Sequence, residues 1–222
     1  MRELLEFSVT AFSAVFFVVD PVAALPLFLT MTEGNTRTQR RATAFKAAAT
    51  VVVTLLAFAL AGGVIFQMFG ISIGAFRVAG GALLFLMALD MMRAQRSETR
   101  SSAAEVAEGQ GKSEPGVVPL GLPMLAGPGA IATVSVLMNS ARDSFAKSAI
   151  VITCVIATAL ITLVVLYAAE RIERTLKTTG LNVLTRVMGL ILAAVAVQFI
   201  ATGVGELFPS LTTHASPVSP PR

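Results

Sequence analysis

The chain has 222 residues, of which 55% are hydrophobic and only 14% charged, with a mean hydropathy of +0.79. Soluble domains carry about 25% charged residues, so the composition excludes an ordinary soluble domain and points to lipid as the solvent. The formal net charge of +4 sits largely in short segments between apolar runs, where it reads as a topology signal and not as a nucleic-acid site.

A membrane-spanning helix needs about 20 mainly apolar residues. Six stretches qualify: 5–30, 42–68, 73–92, 117–138, 145–169 and 183–208. The expected fold is therefore all-α, an integral membrane protein with six transmembrane helices in one polytopic domain over residues 1–208. The first run is read as a retained span and not a cleaved leader, because Glu3 and Glu6 dilute the basic region and the apolar run continues to Thr30. Within it lies FFVVDPVAALPLF, residues 16–28, where Asp20-Pro21 interrupts the apolar pattern. The second span carries Thr50 and Thr54 on one face. The third contains FRVAGGALLF (76–85), with Arg77, and Asp90 near its other end. A polar stretch rich in Ser, Gly, Glu and Ala follows at 93–116 and reads as a linker. The fourth span contains LAGPGAIATV (125–134). The fifth holds Cys154, whose solitude excludes an intrachain disulfide, and the hydroxyl pair Thr158 and Thr162. The sixth opens with TRVMGLILAA (185–194), and the Pro/Ser-rich tail 209–222, with the sole histidine, His214, is expected to be disordered.

The halves resemble each other weakly. Arg77 matches Arg186 and Gly80 matches Gly189, both 109 residues apart, while Pro21 matches Pro128 at 107. The repeats would cover about 1–92 and 117–208. Three spans per half is an odd number, so the second repeat crosses the membrane in the opposite sense. That is the inverted 3+3 repeat found in many secondary transporters.

Asp followed by Pro is a helix-start signal. Asp accepts hydrogen bonds from free N–H groups, and Pro occupies the first turn without needing a donor. Gly127-Pro128 reads the same way. The first and fourth helices are therefore expected to be broken, each restarting near the membrane centre. Two helix N-termini, each with partial positive charge, would meet there beside the carbonyl ends of the preceding half-helices. The candidate binding residues are Asp20, Pro21, Val22, Gly127, Pro128, Gly129 and Ala130. A carboxylate would suit the N–H ends, and an ammonium would suit the carbonyls or Asp20, so the arrangement fits a zwitterion. Against this stands the blander reading of two proline kinks with Asp20 as a cap. An ionisable group inside a membrane is expensive enough to favour function. Arg77, Asp90 and Arg186 are candidates for ion coupling or an ion pair. Snorkelling to the interface is the expectation for each arginine alone, and pairing with Arg186 is a candidate role for Asp90.

Six spans put both termini on one side. That side holds 4 basic residues and the other 11, so the positive-inside rule places the termini outside the cytoplasm. No P-loop, HExxH or Cys/His cluster appears in the sequence, and neither an enzyme, a metal nor a cofactor is expected.

Three stretches then stand together: DPVAALPLFLTMTEG, AFRVAGGALLFLMALDMM and VPLGLPMLAGPGAIATV, at 20–34, 75–92 and 118–134. They resemble the signature blocks of the MarC family of bacterial inner-membrane proteins, across nearly the whole chain. The resemblance implies a multi-pass inner-membrane transporter of small neutral amino acids such as glycine or alanine, working by alternating access with proton or sodium coupling. A homo-oligomer is compatible with it. The rival expectation is a non-transporting membrane protein that binds a partner or supports the envelope.

Overall fold

The computed structural model describes residues 2–93 and 115–209, and among these every regular element is helical. The elements are α1 (Arg2–Val19), α2 (Leu25–Met31), α3 (Arg37–Met68), α4 (Ile73–Met92), α5 (Gly116–Leu125), α6 (Pro128–Ser140), α7 (Phe145–Tyr167) and α8 (Ala169–Leu207). Linker residues 94–114 and tail residues 210–222, with His214, lie outside the described residues.

Helix boundaries follow local capping chemistry. The Ser72 hydroxyl accepts from Ala75 N at 3.2 Å and starts α4 where hydropathy places it. Ser144 does the same for α7 through Lys147 N. α3 begins five residues before the apolar run, at Arg37, because Thr36 and Gln39 cap each other. Thr36 N donates to Gln39 Oε1 at 2.9 Å, and Gln39 N donates to Thr36 Oγ1 at 3.3 Å. α8 also starts early, at Ala169. Its charged first part reads as a loop in the sequence but is helical, and Lys177 (φ +52°) kinks it before the apolar stretch Thr179–Leu207.

Four helical stretches are long and apolar enough to cross a membrane: Arg37–Ile65, Ile73–Met92, Phe145–Tyr167 and Thr179–Leu207. The pair α5 and α6, bent by 61°, makes a fifth if taken as one span. α1 carries Arg2, Glu3 and Glu6 in its first turns, which dilutes an otherwise apolar helix. Large side chains such as Val53, Leu60 and Val64 are exposed on the outer faces, as a lipid-facing surface requires.

Contacts define two ends of the bundle. At one end, Lys147 Nζ donates to Glu3 at 2.7 Å, and that hydrogen bond holds the Glu3 carboxyl below its ordinary range. Arg77 joins Glu206 and Ser140 at the same end. At the other end Arg40 joins Glu170 and donates to Thr32 O, and Arg41 lies over the Tyr167 ring at 5.9 Å.

Lipid tails are as apolar as leucine, so close packing and not the hydrophobic effect holds such helices together. α4 and α8 show how. They run antiparallel in backbone contact: a Cβ on Gly74 would stand 3.0 Å from Gly203 O, and one on Gly203 would stand 2.7 Å from Gly74 O. Further along, Gly81 faces Ala196 O and Ile200, and Gly189 faces Ala88 O and Met91. Gly203→Ala should therefore push the helices apart and cost about 1–3 kcal/mol, the usual penalty for overpacking. The exposed neighbour Ala201→Val should stay within about 0.5 kcal/mol of the parent. Thermal unfolding in detergent checks both, and equal midpoints for the two variants would contradict the contact.

Candidate functional site

α1 ends at its break in a defined way. Asp20 N donates to Phe16 O at 3.0 Å, and Asp20 then turns to φ +48°. That left-handed conformation is tolerated by Asp and Asn far better than by bulky residues. The Asp20 carboxylate reaches forward, Oδ1 accepting from Ala23 N at 3.2 Å, and Leu25 N donates to Val22 O at 3.1 Å. α2 restarts only at Leu25, with Pro26 in its first turn. The capping role of Asp20 thus stands, but the restart at Pro21 does not: the left-handed turn at Asp20 delays the helix, and Pro21 lies buried in the turn. Pro26, and not Pro21, lies in the first turn of its helix as Pro128 does.

The second break matches its sequence signal residue for residue. α5 winds in wide turns, with Ala126 N donating to Gly121 O at 2.9 Å, and carries extended residues at Val118 and Leu122 ahead of cis Pro119 and Pro123. Gly127 is the extended cap, Pro128 opens α6, and Ile131 N donates back to Gly127 O at 3.0 Å. A Cβ at Gly127 would stand 2.7 Å from Pro123 O, so the turn leaves no room for a side chain.

The start of α6 lies against the last turn of α1. The Cβ position of Gly129 is 3.6 Å from Val18 Cγ1, 2.8 Å from Leu84 Cδ2 and 3.0 Å from Met87 Sδ. The small residue here serves close helix approach. Asp20 is 0% exposed, and Gly127, Gly129 and Ala130 are buried with it. Val22 is partly buried. Pro128 is exposed and faces an apolar groove of about 330 Å³ between α3, α4 and α6, which Ser135, Gly80 and Ile131 also line. The first break is not central along its span. α2 has only 7 residues, or roughly 10 Å of rise, against 18 in α1. The α1–α2 interruption therefore lies nearer the end that carries Arg40.

Buried hydroxyls complete the polar interior. Thr133, Thr158 and Thr162 are fully buried. Thr162 Oγ1 donates to Thr158 O at 2.8 Å, but Thr133 Oγ1 and Thr158 Oγ1 are enclosed with no hydrogen-bond partner. A buried hydroxyl left unpaired costs free energy. The spacing of Thr158 and Thr162 marks them as a pair on one face, whereas no spacing singles out Thr133. The available signal was a hydroxyl one turn inside a helix that begins at a break.

The coupling candidates separate. Arg77 does not snorkel: its side chain is 15% exposed and is held by Glu206 of α8 and Ser140 of α6. Glu206 was missed because nothing local marks it as a partner 129 residues away. Asp90 is partly buried near the end of α4, and Arg186 is exposed on α8. Asp90–Arg186 is not among the ion pairs formed between described residues, and Arg186 is exposed.

Asp20→Asn should keep the cap and tolerate the left-handed backbone, leaving the melting temperature nearly unchanged. Asp20→Ala should lose about 1–2 kcal/mol by losing both. Melting curves of the two variants in detergent decide it, and a large loss in Asn equal to that in Ala would show that the cap is not the stabilising element.

The whole chain is similar to known proteins. A model of the MarC family of integral membrane proteins matches residues 5–208. The UPF0056 membrane protein MJ1677 of Methanocaldococcus jannaschii is 40% identical over 200 residues, covering 90% of this chain and 97% of its own length. YvbG of Bacillus subtilis is 39% identical, with 95% of this chain and all of the relative covered. YhcE of Escherichia coli is 36% identical, with 90% and 93% covered. No solved structure matches.

Proposed function

We propose, from the premise that this chain belongs to the MarC family of integral membrane proteins, that it is a secondary transporter of small neutral solutes working by alternating access. The observation that carries this reading is the fully buried carboxylate of Asp20, set in a helix break against the start of a second broken helix. A cap can be made by Asn without a net charge, whereas a carboxylate inside the bilayer costs on the order of 3 kcal/mol on insertion scales. We assign this buried carboxyl to holding a cation or an ammonium. Thr133, buried in the second turn of α6, adds a hydroxyl close to that helix start. The N-terminus of α6 would take a carboxylate. A zwitterion such as glycine or alanine suits Asp20 and the α6 start together, with a proton or sodium as the coupling ion.

The packing supports six passes in an inverted repeat. α1 packs on α7 while its counterpart α5 packs on α3, and α4 pairs with its own counterpart α8. The Gly81 contact with Ala196 and Ile200 mirrors that of Gly189 with Ala88 and Met91, within one residue of the 109-residue offset. Each end of this bundle is tied by an arginine. Arg40 holds Glu170 and the carbonyl of Thr32 just after α2, and Arg77 holds Glu206 and Ser140 at the end of α6. Both ties grip the far end of a half-helix that starts at a break, so they are suited to act as gates on the two sides. The excess of basic residues puts the Arg40 end in the cytoplasm of a plasma or inner membrane, with both termini outside.

Saturable uptake or efflux of labelled glycine or alanine in proteoliposomes, with and without proton or sodium gradients, tests the function. Asp20→Asn should fold and yet lose flux at least tenfold, consistent with removing a charged hydrogen bond worth roughly 1.5–3 kcal/mol. Normal flux in that variant would reduce Asp20 to a cap. No flux of any small solute in the parent protein would favour a non-transporting, partner-binding role.

Orientation is checked separately. A C-terminal reporter that is active only in the cytoplasm should stay silent, and a strong signal from it would reverse the orientation.

A further inference from the structure

At the end of the bundle marked by Arg40, a cavity of about 190 Å³ opens between the first turns of α3 and the junction of α7 with α8. Arg37, Arg40, Arg41, Leu166, Tyr167 and Glu170 line it. Three guanidiniums against one carboxylate leave the lining with a net charge of +2. Arg40 is already engaged, with Glu170 and with Thr32 O. Arg37 makes no hydrogen bond or ion pair among the described residues. Arg41 contacts the Tyr167 ring face at 5.9 Å, an interaction that leaves its N–H donors available. Two sets of guanidinium donors therefore converge on the cavity without a protein acceptor.

We propose that this cavity binds the phosphate of an anionic phospholipid headgroup. Planar guanidiniums match phosphate oxygens in pairs. The depth is right for a headgroup, because Arg37 opens the apolar helix α3 and Tyr167 closes the apolar helix α7. Tyr167 is half exposed, as an aromatic at the membrane surface should be. The first turn of α3 contains no acidic residue, so cationic side chains crowd the positive end of a helix dipole. An anion in the cavity relieves that repulsion. Cationic pockets between helices at the cytoplasmic surface are a known way of holding such lipids. The site does not depend on whether the protein transports anything.

The competing explanation is that these arginines only set topology, and a charge-matched control separates the two. Arg171 and Arg174 lie near the same end but outside the cavity lining. The full chain is reconstituted in nanodiscs of phosphatidylcholine with a minor fraction of phosphatidylglycerol, extracted gently, and analysed for retained lipid by native mass spectrometry. The parent protein should retain phosphatidylglycerol preferentially. Arg37→Gln/Arg41→Gln should lose that preference roughly tenfold, and Arg171→Gln/Arg174→Gln should keep it. No preference in the parent, or equal losses in the two double variants, would overturn the site. Inorganic phosphate provides a second arm, read as the melting temperature of detergent-solubilised protein. Stabilisation by millimolar phosphate in the parent but not in Arg37→Gln/Arg41→Gln, without phosphatidylglycerol retention, would reassign the cavity to a soluble phosphate and overturn the lipid.

Discussion

In hydrocarbon there is no water to satisfy a peptide group, so every backbone N–H and C=O must find its partner inside the protein. The rest of this structure depends on how that constraint is met where helices stop. The first interruption is closed from both sides by one residue. Asp20 gives its N–H to Phe16 O behind it and accepts from Ala23 N ahead. The second is handled by the backbone alone, through the wide turns of α5 and a glycine–proline start to α6. Both are then shielded by apolar neighbours, with Val18, Leu84 and Met87 packed over the first turn of α6. An interruption so covered can persist in a membrane, and Asp20 is fully buried at the first of the two.

The same constraint accounts for what the sequence could and could not reveal. α4 was legible to the residue, because an apolar run flanked by a serine cap specifies both the helix and its start. Gly127-Pro128 was legible because the cap and the first helical residue are adjacent. Asp20-Pro21 misled on the restart: a positive φ at Asp20 is set by the turn and not by composition, and it moves the helix start to Leu25. The charged beginning of α8 looked like a loop because its residues are polar all round, yet Ala169 continues the packing and Glu170 meets Arg40. Arg77 with Glu206 and Arg40 with Glu170 join residues more than a hundred positions apart, and no local periodicity encodes them.

The two broken segments differ in their proportions. α2 has 7 residues where α6 has 13. The first break consequently lies nearer the Arg40 end, with the single short helix α2 on that side of Asp20. Short as it is, α2 is anchored in the core by Leu25 and Phe28, both fully buried, and at its far end by Arg40 on Thr32 O. α4 and α8 are sealed backbone to backbone along their length.

The aromatic composition has a spectroscopic consequence. The chain contains no tryptophan and one tyrosine, and that tyrosine, Tyr167, sits in the arginine-lined cavity with Arg41 over its ring. Phenylalanine contributes almost no emission above the tyrosine band, so the intrinsic ultraviolet fluorescence of the whole protein comes from that one ring. Quenching, anisotropy and lifetime measured on unlabelled protein thus report from a single known position at one end of the bundle. A tryptophan introduced within a few helical turns of Tyr167 would have that ring as its only native donor for energy transfer, giving a short-range optical ruler at this end of the bundle with no dye attached.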